Sequence, residues 1–236
     1  MTRAALHTAI NLSVFALIGT AILAFTYSMT HERIAQSVEA EKLKLISQIV
    51  SHAMYDNDII NDTVKIQPDV LLGNDAPTIA YRARLKELPS ALVLEAVAPD
   101  GYSGKISMLV AIRENGELAG VRVVDHKETP GLGDYIDITK SNWITGFDGK
   151  ALRKPPLSKS PSLRSPPAQA GEGANERLRD QHLDDTDWQV KKDGGKFDYM
   201  AGATITPRAV VKAVHKTLQY FALHHDALFA RTGIIK

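Results

Sequence analysis

Residues 105–113 read KISMLVAIR and residues 118–124 read LAGVRVV, with Glu114-Asn115-Gly116-Glu117 between them. Both runs are dominated by aliphatic side chains, and Asn-Gly is a strong hairpin signal because both residues tolerate positive φ. The stretch is therefore expected to form an antiparallel pair. Its rims, Tyr102-Ser103-Gly104 before the first strand and His126 to Gly133 after the second, are the places to look for function, since loops held by rigid strands often carry sites.

Working upstream, Asp56 to Pro99 reads as mixed short segments, broken by Pro68, Gly73, Pro77, Pro89 and Pro99. Glu32 to Met54 reads as a solvated connecting helix, with Ile34, Val38, Leu45 and Ile49 at helical spacing. Residues 4–30 contain no Asp, Glu, Lys or Arg, and Ala9 to Phe25 is their densest apolar part. A bilayer core needs roughly 20 such residues. A signal peptide would have a shorter apolar core, about 7–15 residues, and a small-x-small cleavage site, which the residues after Ala21 do not offer. The reading is an uncleaved single-pass anchor. Arg3 before it and Arg33, Lys42 and Lys44 after it leave its orientation undecided.

Downstream, Lys154 to Asp185 turns abruptly to Pro, Ser, Ala and Gly. Such a stretch buries too little apolar surface to order itself, so it reads as a flexible insertion, with order resuming at Trp188. A Lys191 to Gly195 turn follows, and after it Asp198-Tyr199-Met200-Ala201-Gly202-Ala203-Thr204 runs into a long helix. Thr206 is the expected N-cap of that helix and Pro207 its first residue. Val210, Val214, Thr217, Leu218 and Phe221 make its apolar stripe. A hairpin followed by a helix suits an α+β fold, an antiparallel sheet packed by helices, behind one N-terminal transmembrane helix.

Composition narrows the chemistry. Cysteine is absent, which removes disulfides, thiolate nucleophiles, CxxCH haem attachment and all-Cys iron–sulfur ligation. A net charge of +1 makes no case for nucleic acid. The histidines are scattered without metal-ligand spacing, and no GxGxxG, Walker A or GxSxG occurs. Any redox carrier here would be an organic cofactor or a His/carboxylate metal site.

Ala201, Gly202 and Ala203 are small and let a bulky group approach the backbone. The Thr204 hydroxyl lies just ahead of a helix whose free N–H groups favour an anion. On these grounds alone the segment is either an anion site or a tight strand-to-helix turn. The run D-Y-M-A-G-A-T resembles the flavinylation motif D-G-x-S/T-G-A-T of FMN-binding domains in the Rnf (Rsx) electron transport complex G subunit and the Na+-translocating NADH:quinone reductase C subunit. Tyr199 and Ala201 depart from that motif. Gly101-Tyr102-Ser103-Gly104, the HKETPGLGD run of residues 126–134, Trp143-Ile144 with Phe147, the VKKDGGKFD run of residues 190–198 and the ITPRAVV run of residues 205–211 resemble further Rnf G blocks in the same order.

The resemblance implies FMN joined through its phosphate to Thr204 by a periplasmic flavin transferase, with Asp198, Gly202 and Ala203 in the recognised motif. It also implies that Glu128, Thr129, Leu132 and Gly133 lie near the isoalloxazine. The organisation it implies is an anchor over residues 1–30, a connecting helix over 31–55 and an FMN-binding domain over 56–236. The chain would be single-pass in a bacterial inner membrane with its domain in the periplasm. It would pass electrons among the other membrane subunits of an ion-translocating ferredoxin:NAD oxidoreductase, and would not be an enzyme by itself. The alternative is a membrane-anchored FMN-binding sensory or assembly module off the main electron path.

Overall fold

The structure, a computed structural model, describes residues 2–153 and 181–230. The insertion expected over residues 154–185 lies outside the described residues except for its last five. Those five are ordered: residues 182–183 form a strand and a capping box closes a helical turn at Asp185–Asp187. Regular structure is thus present ahead of Trp188, where Arg153 binds both the Asp184 carboxylate (2.6 Å) and the His182 carbonyl (3.1 Å).

The chain divides into two units, Met1–Lys44 and Leu45–Lys236. The first consists of most of one helix, α1 (Thr2–Ile49). The anchor and the connecting segment therefore form a single helix. Within it Ala9–Ile34 is long and apolar enough to cross a membrane, since each residue adds about 1.5 Å and the hydrocarbon core is about 30 Å. The expected stripe of the connecting segment divides: Ile34 is exposed, whereas Leu45 and Ile49 are buried.

The second unit is built on a five-stranded antiparallel meander: β1 (Thr63–Ile66), β2 (Thr78–Leu85), β3 (Leu88–Ala98), β4 (Ile106–Arg113) and β5 (Leu118–Asp125). β4 and β5 are the expected hairpin, with Ala111 opposite Gly120 and Ile112 opposite Leu118. Gly116 takes φ +92° in its turn. The three strands before it replace the broken segments expected over residues 56–99. Pro89 is accommodated where the β2–β3 register shifts, and Pro99 ends β3.

The long helix α2 (Ile205–Phe229) packs across β3 and β4. Its expected stripe, Val210, Val214, Thr217, Leu218 and Phe221, is buried throughout. Alternate strand residues meet it, among them Leu92, Leu94, Met108, Val110 and Ile112. The other face of the sheet takes the last turn of α1. A Cβ on Gly120 would come within 2.8 Å of Ile49, and Arg122 Nε donates to Gln48 at 3.1 Å. A short parallel pair, β6 (Ala151–Leu152) with β7 (His182–Leu183), completes the unit.

Candidate functional site

Strand register brings the site together. Ala98 pairs with Ile106 and Ser107 with Asp125, so the β3–β4 connection and the loop after β5 leave the same end of the sheet. The first turn of α2 arrives there too, because the Thr206 hydroxyl donates to Glu128 Oε2 at 2.5 Å. Between these three segments lies a cleft of about 190 Å³. Its walls are Glu128, Thr129, Leu132 and Gly133 on one side and Gly202, Ala203 and Thr204 on the other, with Tyr102, Ile205 and Thr206 between them.

The loop after β5 is a compact turn. The Thr129 carbonyl accepts from Leu132 N (3.1 Å) and Gly133 N (3.0 Å), and the buried Asp134 carboxylate accepts from Gly131 N at 2.7 Å. Gly131 sits at φ +77°, a conformation that side chains rarely adopt. Thr129 and Leu132 are exposed on this turn, while Glu128 is only 4% exposed.

The segment leading to Thr204 is clipped from below by aromatic residues. Trp143 Nε1 donates to the Asp198 carbonyl at 2.8 Å, and the Tyr135 hydroxyl accepts from Met200 N at 3.3 Å. Burial pushes the Tyr135 phenol above its ordinary pKa, against the pull of that hydrogen bond. Trp143 packs edge-on against Tyr135 and Phe147, and Phe147 stacks on Phe197. Ala203 N closes a turn onto the Met200 carbonyl at 3.1 Å, with Gly202 at φ +89°.

Thr204 is half-buried at the N-cap position of α2, in a helical conformation, and its side chain makes no capping hydrogen bond. This corrects the expected cap. Thr206 lies inside the helix and is 1% exposed, and its hydroxyl is committed to Glu128. A long-range carboxylate outcompetes the local backbone for it. The initial N–H groups of a helix have no carbonyl one turn back to accept them; here Pro207 has none and Arg208 N reaches the Thr204 carbonyl at 3.4 Å, which leaves those of Ile205 and Thr206, two residues of the cleft wall. Two cations on the first turns of α2 are already paired: Arg208 with Asp193 (2.5 Å) and Lys212 with Asp100 (2.6 Å). An anion in the cleft would be held by helix N–H groups and the helix dipole.

Of the residues singled out from sequence, all but Asp198 line the cleft. Asp198 is exposed and its carboxylate pairs with Lys191 at 2.5 Å. Tyr102 belongs to the rim expected before β4, whereas Ile205 and Thr206 line the cleft without being expected there. The GYSG run marks Tyr102 as a rim residue, whereas nothing local in the sequence pairs Thr206 with Glu128.

Comparison with known proteins places the cleft residues in a recognised domain. Residues 101–219 match the family model of the FMN-binding domain, and residues 1–49 match that of the RnfG N-terminal region. The chain is 44% identical over 228 residues to the G subunit of the ion-translocating oxidoreductase complex of Pseudomonas aeruginosa strain UCBPP-PA14, covering 97% of this chain and 94% of that protein. The protein of the same name from Shewanella loihica is 41% identical, covering 98% and 96%. That from Vibrio cholerae serotype O1 strain O395 is 38% identical, covering 92% and 90%.

Proposed function

This chain belongs to the G-subunit family of ion-translocating oxidoreductase complexes, as a membrane-anchored single-pass member with an FMN-binding domain, and from that premise we propose that it carries FMN covalently, as a phosphoester on Thr204. The observation that carries the proposal is the Thr204 hydroxyl at the start of α2, which makes no capping hydrogen bond and lies in a cleft wall beside Gly202 and Ala203. A flavin transferase would form the Thr204 Oγ–phosphorus bond while the anhydride bond of FAD breaks. AMP leaves and the hydroxyl proton is released. The product diester keeps one negative charge, which the helix N-terminus stabilises.

Enclosed ligand sites run to roughly 300–1,000 Å³, so a cleft of about 190 Å³ would take only part of FMN. Attachment compensates for incomplete enclosure, because a tethered cofactor cannot diffuse away. Leu132, Tyr102 and Ile205 are exposed on the cleft wall and offer apolar surface to a flat ring, with Thr129 and Gly133 beside them. Asp198, outside the cleft, is read as part of the surface that the transferase recognises. The flavin supplies the redox chemistry and the protein supplies position. The chain then serves as a one-cofactor electron carrier among the other membrane subunits of a ferredoxin:NAD oxidoreductase, its domain on the periplasmic side of a bacterial inner membrane.

The test is the intact mass of full-length chain co-expressed with a flavin transferase. Wild type gains one FMN ester, Thr204→Ala gains none, and Thr206→Ala still reaches one at completion. Loss in Thr206→Ala alone would move the attachment site, and no addition to wild type would reduce the motif to a turn. In a reconstituted complex the Thr204→Ala chain abolishes ferredoxin–NAD electron transfer. Unchanged transfer would instead put this chain off the electron path, as a sensory or assembly module.

A further inference from the structure

Three segments far apart in sequence meet at one carboxylate. Glu128 Oε1 accepts the Ser103 N–H at 3.1 Å from the β3–β4 connection, and Oε2 accepts the Thr206 hydroxyl at 2.5 Å from α2. Among the described residues no lysine or arginine pairs with it; its carboxyl oxygens are held by hydrogen bonds. Two glycines make room for it. A Cβ on Gly133 would fall 2.7 Å from Oε2 and 3.0 Å from Thr206 Oγ1, and one on Gly101 would fall 2.9 Å from Oε1. The φ of Gly133 is −86°, an ordinary value, so it is space and not backbone freedom that this position requires.

We infer that Glu128 is a positioning residue: by fixing Thr206 it sets the first turn of α2 and so aims the Thr204 hydroxyl into the cleft. Successive helical residues are offset by about 100°. Thr204 and Thr206, both in the cleft wall, therefore leave the axis in different directions, and holding Thr206 against Glu128 fixes the rotation of the turn that carries Thr204. The same bond removes Thr206 as a competing acceptor, since its hydroxyl is buried and already used. Glu128 acts through Thr206 and the Ser103 loop, not as a contact of the flavin ring. The inference rests on the attachment proposed above.

Full-length chain, co-expressed with a flavin transferase in membranes, is assayed for the rate of covalent FMN incorporation per folded molecule. Thr206→Val keeps the side-chain volume and removes the donor, while Glu128→Ala removes the acceptor. Misplacing a reacting group by about 1 Å costs on the order of a hundredfold, so both variants should incorporate FMN about tenfold to a hundredfold more slowly. Thr206→Ser, which keeps the donor, should restore the rate. Glu128→Gln should recover most of it, because its amide oxygen still accepts from Ser103 and its NH2 can donate to the Thr206 hydroxyl. A mere loss of stability would not follow this pattern, and Thr206→Val keeps the test open if Glu128→Ala fails to fold. Folded Thr206→Val incorporating FMN at the wild-type rate overturns the inference. So does Glu128→Gln as slow as Glu128→Ala, which would make charge the operative property. Absence of FMN from wild type as well would instead defeat the attachment reading and this inference with it.

Discussion

The two ends of α2 are finished in opposite ways. At its C-terminus, where a helix presents unpaired carbonyls and partial negative charge, two buried arginines close it off. Arg84 donates to the Phe229 carbonyl at 2.9 Å and Arg82 to that of Ala230, and both bind the Asp62 carboxylate, at 2.7 and 2.6 Å. At its N-terminus the cap residue contributes no side-chain hydrogen bond, and the adjoining residues are a cleft wall. One end has its last carbonyls bound by arginines, and the other has a cap residue whose side chain caps nothing. A helix tied down at its far end and packed along its length can leave its first turn uncapped.

The largest effect should follow from breaking the tied end. Asp62→Ala leaves two guanidinium side chains, each 8% exposed, without their carboxylate. Removing one partner of a buried ion pair costs about 3–5 kcal/mol, and denaturant unfolding of the detergent-solubilised chain would measure it. Molecules that still fold should accept FMN on Thr204 as wild type does. A loss under about 1 kcal/mol, the range of surface ion pairs, would mean the C-terminal latch is not what holds α2.

A smaller effect belongs to the open end. Gly202 sits at φ +89°, and a Cβ added there would meet nothing within 4 Å, so Gly202→Ala is penalised through the backbone alone. A residue held in the left-handed region costs roughly 1–2 kcal/mol. Part of that cost should be relieved by shifting the Met200–Ala203 turn, which would move Thr204 and slow FMN attachment even in folded protein. Equal attachment rates for Gly202→Ala and wild type would show that this turn does not set the hydroxyl's position.

The same contrast explains what is legible in the sequence. Asn115-Gly116 announces the β4–β5 hairpin because such residues take positive φ cheaply. The tighter β2–β3 turn is made by Lys86 and Glu87 at φ +53° and +65°, residues that give no turn signal. The run ALVLEAVA over residues 91–98 is what a strand covered on both faces looks like, but prolines at either end disguise it. Arg82 and Arg84 carry no local sign of burial in the sequence. They are buried because Asp62, 20 and 22 residues away in the chain, and the end of α2 complete them, and no local pattern encodes that. At the site, the two expected clusters, Glu128 to Gly133 and Gly202 to Thr204, meet in one cleft. The resemblance to a known family points to both. Thr206 reads as a cap because capping rules are local, whereas its partner lies 78 residues away.

The smallest effect is the most informative about the open end. Thr204 is half-buried and its side chain caps nothing, so Thr204→Ala removes a hydroxyl that the fold does not use. Ordinary N-cap replacements by alanine cost about 0.5–2 kcal/mol because a real hydrogen bond is lost. Here the change should stay within about 0.5 kcal/mol, as for substitutions away from structural features. The comparison must be made between FMN-free proteins, since a bound cofactor would itself add stability to wild type. A loss above about 1 kcal/mol would mean that the Thr204 hydroxyl caps the helix in solution. The two ends of α2 would then be alike, and attachment of FMN would have to displace a structural bond before it could form a covalent one.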